Sequence, residues 1–178
     1  LVLGLVLNLI RKINIHHSDL KEGKWEKKMG SLLRGKTIGI IGLGVIGKKL
    51  VRLLTGFGIT VLAYDKNKDI VFAKENNVNY CSLKNLLSNS DIITLHLSLS
   101  NETKNFIDKE KINKMKKNCI FINTSRGEVV NENHLYEALK NKTIGGAGLD
   151  VFHNEPYKGQ FLDLKNVILT PHIGSYAR

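Results

Sequence analysis

Short apolar runs rich in β-branched residues alternate along this chain with longer stretches of helical periodicity. The apolar runs predict strands over 37–41, 59–64, 92–95, 119–123, 145–151 and 166–170. The stretches between them predict helices, the clearest of which cover 45–57, 70–76, 83–87 and 133–141. Near-continuous apolar strands separated by helices are typical of a parallel sheet that is covered on both faces. The alternation therefore predicts a doubly wound α/β domain with three layers, in which helices lie on each side of one sheet.

The N-terminal segment does not follow this alternation. Residues 1–17 predict a helix with one apolar face, and a polar connector continues through Gly30. We therefore divide the chain into an N-terminal helix and arm over 1–30 and a sheet domain over 31–178. A length of 178 residues suffices for one well-buried domain and is short for two. Because the first residue is Leu and falls inside the apolar helical pattern, we expect the chain to be a piece of a longer protein.

Three glycines occupy the turn from the first predicted strand into the first predicted helix. Gly42, Gly44 and Gly47 have the spacing G-x-G-x-x-G. In this spacing the first glycine permits a tight turn, the second lets the backbone approach a pyrophosphate, and the third lets the helix pack closely on the strand. Val45 and Ile46 begin the helix, whose free N–H groups carry the partial positive charge that attracts phosphate. The motif therefore predicts a dinucleotide-binding site of the Rossmann fold.

An acidic residue follows the second predicted strand. Asp65 lies 18 positions after Gly47, near the spacing at which a carboxylate accepts hydrogen bonds from the adenosine ribose. A carboxylate at this place repels the 2′-phosphate of NADP, so we expect NAD as the cofactor. The alternative interpretation is that the glycines serve tight packing alone and that Asp65 is a turn residue.

Several further segments extend the pattern beyond the glycine motif. They are LLRGKT at 32–37, which leads into IGLG at 41–44, and then NTSRG at 123–127, GLDVF at 148–152, NEP at 154–156 and TPHIG at 170–174. With these segments in this order, nearly the whole chain resembles the D-isomer-specific 2-hydroxyacid dehydrogenases. The resemblance implies a cofactor domain inserted into a second, substrate-binding domain, and we expect this second domain to be absent from the chain.

The resemblance also implies an activity. The expected function is an NAD-dependent oxidoreductase that transfers a hydride between nicotinamide and a small D-2-hydroxyacid or 2-oxoacid. D-3-phosphoglycerate is one candidate substrate, because the short gap between Glu155 and His172 is similar to the phosphoglycerate and hydroxypyruvate branches of the family. The alternative from another class is an NAD-binding regulatory or interaction module without turnover. A third interpretation is a domain that binds NAD and does nothing else.

Three ionisable residues follow predicted strands, namely Arg126, Glu155 and His172. Because ligands of open α/β sheets bind beyond the carboxyl ends of the strands, we expect these side chains to meet in one crevice. Reduction of a ketone by hydride needs a proton donor and a cation for the substrate carboxylate. His172 suits the donor and Glu155 can fix its tautomer, while Arg126 offers a planar fork to the carboxylate. Taken singly, the three residues also fit a surface ion pair, a turn and a structural histidine.

The resemblance implies further contacts to the nicotinamide half of the cofactor. Asp150 is expected to hydrogen-bond the carboxamide group. Ser98 stands where the family usually has proline, so we expect the backbone beside it to be less rigid. The remaining residues that are expected to line the cofactor are Leu97, Thr103, Thr124, Ser125, Arg126, His172, Gly174 and Ser175.

Composition argues against several other classes. The formal net charge is +11, but the lysines are interspersed with acids, so we expect no nucleic-acid partner. The apolar run over 1–10 is shorter than the about 20 residues that cross a bilayer, so we expect no membrane span. Cys81 and Cys119 form no disulfide or zinc pattern, and His16 and His17 have no cysteine partners. We therefore expect no metal site and a reducing, cytoplasmic location.

The N-terminal helix and arm also carry a prediction about assembly. Family members commonly dimerise through their cofactor domains, and the resemblance implies that this segment crosses between subunits. Trp25 and Met29 are expected to pack the arm against the domain or a partner. An exposed apolar face over 1–10 would be a liability on a monomer. We therefore predict a homodimer.

Overall fold

One parallel sheet organises the computed structural model, which describes residues 1–176. Its strands are β1 Thr37–Ile41, β2 Thr60–Tyr64, β3 Val78–Tyr80, β4 Ile92–Leu95, β5 Ile120–Asn123, β6 Gly146–Leu149 and β7 Val167–Leu169. They lie in the order β3-β2-β1-β4-β5-β6-β7, and every neighbouring pair is parallel. The doubly wound α/β fold predicted from the sequence is confirmed.

Helices connect the strands and cover both faces of the sheet. The helices are α1 Val2–Arg11, α2 Ile13–Lys21, α3 Val45–Leu53, α4 Ile70–Glu75, α5 Leu83–Asn89, α6 Lys109–Ile112 and α7 Glu132–Lys140. The described part of the C-terminal half also contains the 3-10 turns Gly127–Val129 and Gln160–Asp163. Within residues 1–176, none of the helices has both the length and the apolar character that a bilayer crossing requires.

The apolar core is divided into two layers, one on each face of the sheet. In the first layer, buried side chains of α1, α3 and α4 pack against strand residues that include Ile38 and Ile40. In the second layer, buried side chains of α5, α6 and α7 pack against strand residues that include Ile41 and Phe121. Because the strands are buried on both faces, apolar residues predominate in them, as in β1 and β4.

Strand β1 is the place where the winding of the chain reverses. It pairs with β2 on one side and with β4 on the other. From β1 the chain proceeds outward through β2 and β3, then returns and continues through β4 to β7. At such a reversal the loops beyond the carboxyl ends of the strands diverge and leave a crevice. The fold therefore places a binding crevice beside the loop that follows β1.

Several element boundaries differ from the sequence-based prediction. The single helix predicted over 1–17 is two helices, because Lys12 adopts a left-handed backbone conformation with φ 55°. Helix α3 ends at Leu53 rather than near residue 57, before two glycines with positive φ, Gly56 and Gly58. Strand β3 and helix α6 were not predicted, and both are short, with three and four residues respectively.

The apolar face of α1 is buried within the chain itself. Leu5, Val6 and Ile10 belong to the first core layer, and α1 contacts β5, β6 and β7. Gly148 in β6 makes this approach possible, since a Cβ atom there would lie 3.1 Å from the Cβ of Leu5. The expectation that this face is exposed on a monomer is therefore wrong, because the sheet covers it.

The burial of α1 predicts a large difference between two leucines of the N-terminal helices. Leu5 is 4% exposed and Leu20 in α2 is 58% exposed. Leu5→Ala leaves a cavity under the sheet and is expected to lower the free energy of unfolding by about 2–5 kcal/mol. Leu20→Ala, the matched control, is expected to change it by about 0.5 kcal/mol or less. Urea denaturation measures both values, and equal losses would contradict the packing of α1 on the sheet.

Candidate functional site

The loop that follows β1 is held in a shape that only glycine allows at two positions. Gly42 has φ 93°, and a Cβ atom there would lie 2.6 Å from the carbonyl oxygen of His96. A Cβ atom on Gly47 would lie 2.6 Å from the carbonyl oxygen of Gly42. Gly44 differs, because within residues 1–176 no atom beyond its chain neighbours and its own helix lies within 4 Å of its ideal Cβ position. Two glycines therefore serve the packing of the loop, and the third leaves its outer side open to a ligand.

The N-terminus of α3 faces the same open side. Gly44 is the N-cap and supplies no side-chain cap, and the first turn contains no acidic residue. The first intrahelical hydrogen bond runs from Lys48 N to Gly44 O at 2.9 Å, so the N–H groups before it have no partner within the helix. Val45 and Ile46 in this turn are exposed. Free N–H groups beside an open glycine fit the pyrophosphate of a dinucleotide.

Asp65 joins the loop after β2 to the loop after β1. Its Oδ2 accepts a hydrogen bond of 2.6 Å from Leu43 N, and its Oδ1 accepts one of 2.8 Å from Asn67 N. The carboxylate is therefore fixed directly beside the glycine loop. Each oxygen retains acceptor capacity, since an ionised carboxylate has about four lone-pair sites. This arrangement fits the two hydroxyl groups of an adenosine ribose.

A cavity of about 400 Å³ lies at the carboxyl ends of β4, β5 and β6. The structure brings together here the predicted residues Ile46, Thr124, Arg126, Asp150, His172, Gly174 and Ser175. The start of α1 forms the opposite wall, where Leu1, Val2 and Leu3 contribute apolar surface. Arg126 and His172 therefore share one crevice next to the dinucleotide loop, as predicted, whereas Glu155 lines a second cavity of about 590 Å³ that His172 also lines.

Of the residues expected at the nicotinamide half of the cofactor, three do not line this cavity. Leu97 contacts the dinucleotide loop, since its Cδ2 lies 3.2 Å from the ideal Cβ position of Gly42. The Thr103 hydroxyl donates to Ser98 O at 2.7 Å, so it shapes its own loop. The Ser125 hydroxyl donates to Asn123 Oδ1 at 2.8 Å and fixes the turn that follows β5.

Glu155 and His172 form a hydrogen-bonded pair. Nδ1 of His172 lies 2.8 Å from Oε2 of Glu155, and Nε2 has no hydrogen-bond partner among residues 1–176. Glu155 Oε1 accepts a hydrogen bond of 3.1 Å from Phe152 N. Burial raises the pKa of Glu155, but the hydrogen bonds from His172 and Phe152 and the charge of Arg126 outweigh it. The pKa of Glu155 is therefore below its usual value, and the residue is ionised at neutral pH.

Asp150 has a role that the sequence did not predict. The side chain is completely buried, and Oδ1 accepts hydrogen bonds from Thr170 Oγ1 at 2.5 Å and Ile173 N at 2.9 Å. Oδ2 accepts one from Gly174 N at 2.8 Å. His172 lies between these anchors in a left-handed conformation, φ 54°, which few residues with a side chain adopt. The buried carboxylate therefore holds the segment that presents His172, in addition to lining the cavity.

Arg126 approaches the cavity from the turn that follows β5. Its Nη1 donates a hydrogen bond of 2.6 Å to Ser125 O, and the guanidinium keeps its other donors. The next residue, Gly127, is packed so tightly that a Cβ atom would lie 2.1 Å from the backbone carbon of Phe152. The turn that carries Arg126 is thus fixed against the segment that leads to Glu155.

His96 is a cavity residue that sequence reasoning did not assign to the site. It follows β4 directly, and its Nε2 lies 3.1 Å from the hydroxyl oxygen of Thr94. Burial lowers its pKa to about 4, so the imidazole is neutral at physiological pH. The signal was available, because a polar residue directly after a buried strand also identified Asp65. Among residues 1–176, no three His, Cys, Asp or Glu side chains are grouped to hold a metal ion.

Comparison with known proteins identifies the family. The family described as "D-isomer specific 2-hydroxyacid dehydrogenase, NAD binding domain" matches residues 3–174. A glyoxylate reductase of Thermococcus litoralis is 41% identical over 98% of this chain and 56% of its own length. A D-3-phosphoglycerate dehydrogenase of Methanocaldococcus jannaschii is 41% identical over 98% of this chain and 34% of its own length.

Solved structures agree with the sequence comparison. The crystal structure of D-lactate dehydrogenase with NAD⁺ from Lactobacillus jensenii superposes with a TM-score of 0.87 at 31% identity. The superposition covers 96% of this chain and 56% of that one. This chain therefore spans about half of the length of the glyoxylate reductase and of the D-lactate dehydrogenase, and about a third of that of the D-3-phosphoglycerate dehydrogenase.

The anchoring role of Asp150 predicts a specific loss of stability. Asp150→Asn replaces one acceptor oxygen by a donor that faces backbone N–H groups. We expect the free energy of unfolding to fall by about 1–3 kcal/mol, the cost of unpaired buried polar groups. Asp163→Asn, at an exposed position of the last 3-10 turn, is the control and is expected to change little. Denaturation curves measure both variants, and a fully stable Asp150→Asn protein would contradict the anchor.

Proposed function

Because this chain belongs to the D-isomer-specific 2-hydroxyacid dehydrogenases, as the NAD-binding domain of that family, we propose that it serves an oxidoreductase acting on small D-2-hydroxyacids. The observation that carries the proposal is the pair of Glu155 and His172 at the carboxyl end of the sheet. His172 lines the same cavity as Arg126, next to the glycine loop. A dyad and a cation beside a dinucleotide site are the groups that ketone reduction needs.

The residues for the cofactor fit NAD. The open side of Gly44, the free N–H groups at the start of α3 and the carboxylate of Asp65 form one continuous edge. When bound there, NAD supplies the hydride in its reduced form and accepts it in its oxidised form. The carboxylate of Asp65 favours the ribose hydroxyl groups of NAD over the 2′-phosphate of NADP.

We assign the proton transfer to His172. Its Nδ1 is engaged by Glu155, so the proton for the substrate oxygen is held at Nε2. Glu155 is ionised and stabilises the positive charge on the imidazole when that proton is present. In the reverse direction, the same Nε2 accepts the hydroxyl proton of the hydroxyacid. Microscopic reversibility thus lets one histidine act as acid and as base.

We assign substrate orientation to Arg126. The guanidinium has donors beyond the one that binds Ser125 O, and a planar fork pairs well with a carboxylate. A 2-oxoacid held by its carboxylate places its carbonyl next to that group. The arginine then orients the carbonyl and polarises it, while His172 supplies the proton.

The substrate itself is proposed only as a class. The relatives at 41% identity are called glyoxylate reductase and D-3-phosphoglycerate dehydrogenase, so a small 2-oxoacid or 2-hydroxyacid is the shared chemistry. D-3-phosphoglycerate stays a candidate within that class. An NAD-binding module without turnover is the contrary outcome, and an activity assay distinguishes the two.

Substitution of the dyad tests the catalytic assignment. In the full-length protein, His172→Asn keeps the left-handed backbone, which asparagine tolerates, and removes the proton donor. We expect kcat for 2-oxoacid reduction to fall by about 100- to 10,000-fold, the usual share of general acid–base catalysis. Binding of NADH, measured by fluorescence titration, is expected to stay within about threefold of the unaltered protein, since the dinucleotide loop is untouched.

Glu155→Gln serves as the companion variant. It keeps the shape of the side chain but removes the charge that stabilises the imidazolium, so a smaller loss of kcat is expected. Loss of NADH affinity together with activity in both variants would contradict the proton-transfer role. Absence of turnover with every 2-oxoacid tested on the unaltered protein, with intact NADH binding, would favour the module.

We also propose a homodimer and a cytoplasmic location. The segment over 22–36 has no regular structure, and its side chains Trp25 and Met29 are 81% and 89% exposed. Large apolar side chains at such exposure support contact with a second copy. Two free cysteines in separate parts of the fold, Cys81 and Cys119, support a reducing compartment.

The dimer proposal predicts a change of mass. Light scattering of this chain is expected to give twice the 20.0 kDa of one copy. Trp25→Ser combined with Met29→Ser is expected to give the mass of a monomer, because the apolar contact is removed. Leu162→Ser, at another exposed apolar position, is the control and is expected to leave the dimer intact. A monomeric mass for the unaltered chain would contradict the proposal.

A further inference from the structure

An ion pair joins the two loops that flank the dinucleotide loop. The ammonium group of Lys66, after β2, contacts the carboxylate of Glu102, after β4. Strand β1 lies between β2 and β4, so the contact spans the carboxyl end of β1. Both side chains are mostly exposed, at 68% and 73%, so the pair contributes nothing to the core. Because the ion pair lies beside the proposed cofactor site, we consider its effect on cofactor binding.

The backbone on each side aims these two charges at one another. On the β2 side, the carboxylate of Asp65 is anchored to Leu43 N and Asn67 N, which fixes the residue next to Lys66. On the β4 side, the Thr103 hydroxyl accepts from Ser100 N at 2.8 Å and closes the turn that carries Glu102. Two ordered turns therefore present the ion pair.

Lys66 is the cation next to the proposed ribose position. It directly follows Asp65, and it lines an open cavity of about 740 Å³ whose wall is formed by residues 66–71. Lys68 lines the same cavity, but its ammonium group lies over the ring of Tyr80, 5.9 Å from the centroid. A ribose that carries a 2′-phosphate in place of a hydroxyl group would bring two negative charges towards Lys66.

We propose that Glu102 is a cofactor-selectivity residue: by pairing with Lys66 it neutralises the cation that would otherwise attract the 2′-phosphate of NADP. The inference rests on the proposed binding of NAD beside Asp65. The selectivity for NAD over NADP then has two causes. Asp65 repels the 2′-phosphate of NADP, and Glu102 pairs with Lys66, which would otherwise attract that phosphate. The hydrogen bond between the partners raises the pKa of Lys66 and lowers the pKa of Glu102, so both are charged at neutral pH.

The test compares NADPH with NADH on the same chain. Glu102→Gln keeps the length of the side chain, removes its charge and frees Lys66. We expect the ratio of Kd for NADPH to Kd for NADH, from fluorescence titration at low salt, to fall by about three- to tenfold, as for an exposed charge-assisted contact. Because the contact is exposed, the change is expected to shrink at high salt.

Two further variants isolate the cause. In Lys66→Met combined with Glu102→Gln, the cation is absent and the fall in the ratio is expected to disappear. Glu110→Gln, in α6, breaks an ion pair of 2.5 Å with Lys114, which follows that helix, and is expected to leave the ratio unchanged. Circular dichroism verifies that each variant retains the fold.

The outcomes separate this inference from the proposed function. An unchanged ratio in Glu102→Gln, with NADH still bound, overturns the selectivity role alone. An equal fall in the double variant also overturns it, because the effect would then be the removal of negative charge rather than the release of Lys66. Failure of the unaltered chain to bind NADH overturns the proposed cofactor site and this inference with it.

Discussion

The burial of β1 between its two parallel neighbours, β2 and β4, is the constraint on which the structure depends. Ile38, Ile40 and Ile41 are almost fully buried, and they point alternately into the two core layers. Helices must therefore cover both faces, and the sheet extends from β1 towards one edge through β2 and β3 and towards the other through β4 to β7. The proposed site residues consequently lie at the carboxyl ends of the strands, on the loops there and on the first turn of α3, where the loops diverge around the glycine turn.

The site divides into a part that is held by buried contacts and a part that is held by exposed ones. The segment that carries His172 is fixed by the fully buried carboxylate of Asp150 through three hydrogen bonds. Buried, charge-assisted hydrogen bonds are strong and geometrically strict, which suits a residue that must meet a reacting atom. The pair of Lys66 and Glu102 is exposed and weak, and such a contact suits discrimination between two similar ligands.

The sequence predicted those parts of the fold and of the site that depend on residues close together in the chain. Neighbours within a few positions determine the apolar runs, the glycine turn and the polar residues that follow the strands. The sequence therefore predicted these features, although it did not predict the order of the strands in the sheet. Strand β3 was missed because its three residues include only one buried side chain. The break at Lys12 was missed because no glycine or proline marks it. Burial of α1, the three bonds of Asp150 and the pair of Lys66 with Glu102 join residues distant in sequence, so no local pattern encodes them.

The packing of α1 connects the core to the chemistry. Leu5 and Val6 fix this helix on the sheet, and its first residues, from Leu1 to Leu3, form a wall of the cavity that His172 also lines. Leu1 also lies next to the segment that Asp150 anchors, since the ideal Cβ position of Gly174 lies 3.9 Å from Leu1 Cδ2. A loss of packing under α1 is therefore expected to alter a wall of the cavity that His172 also lines. The helix thus supports one wall of the cavity, and its own position depends on its packing against the sheet.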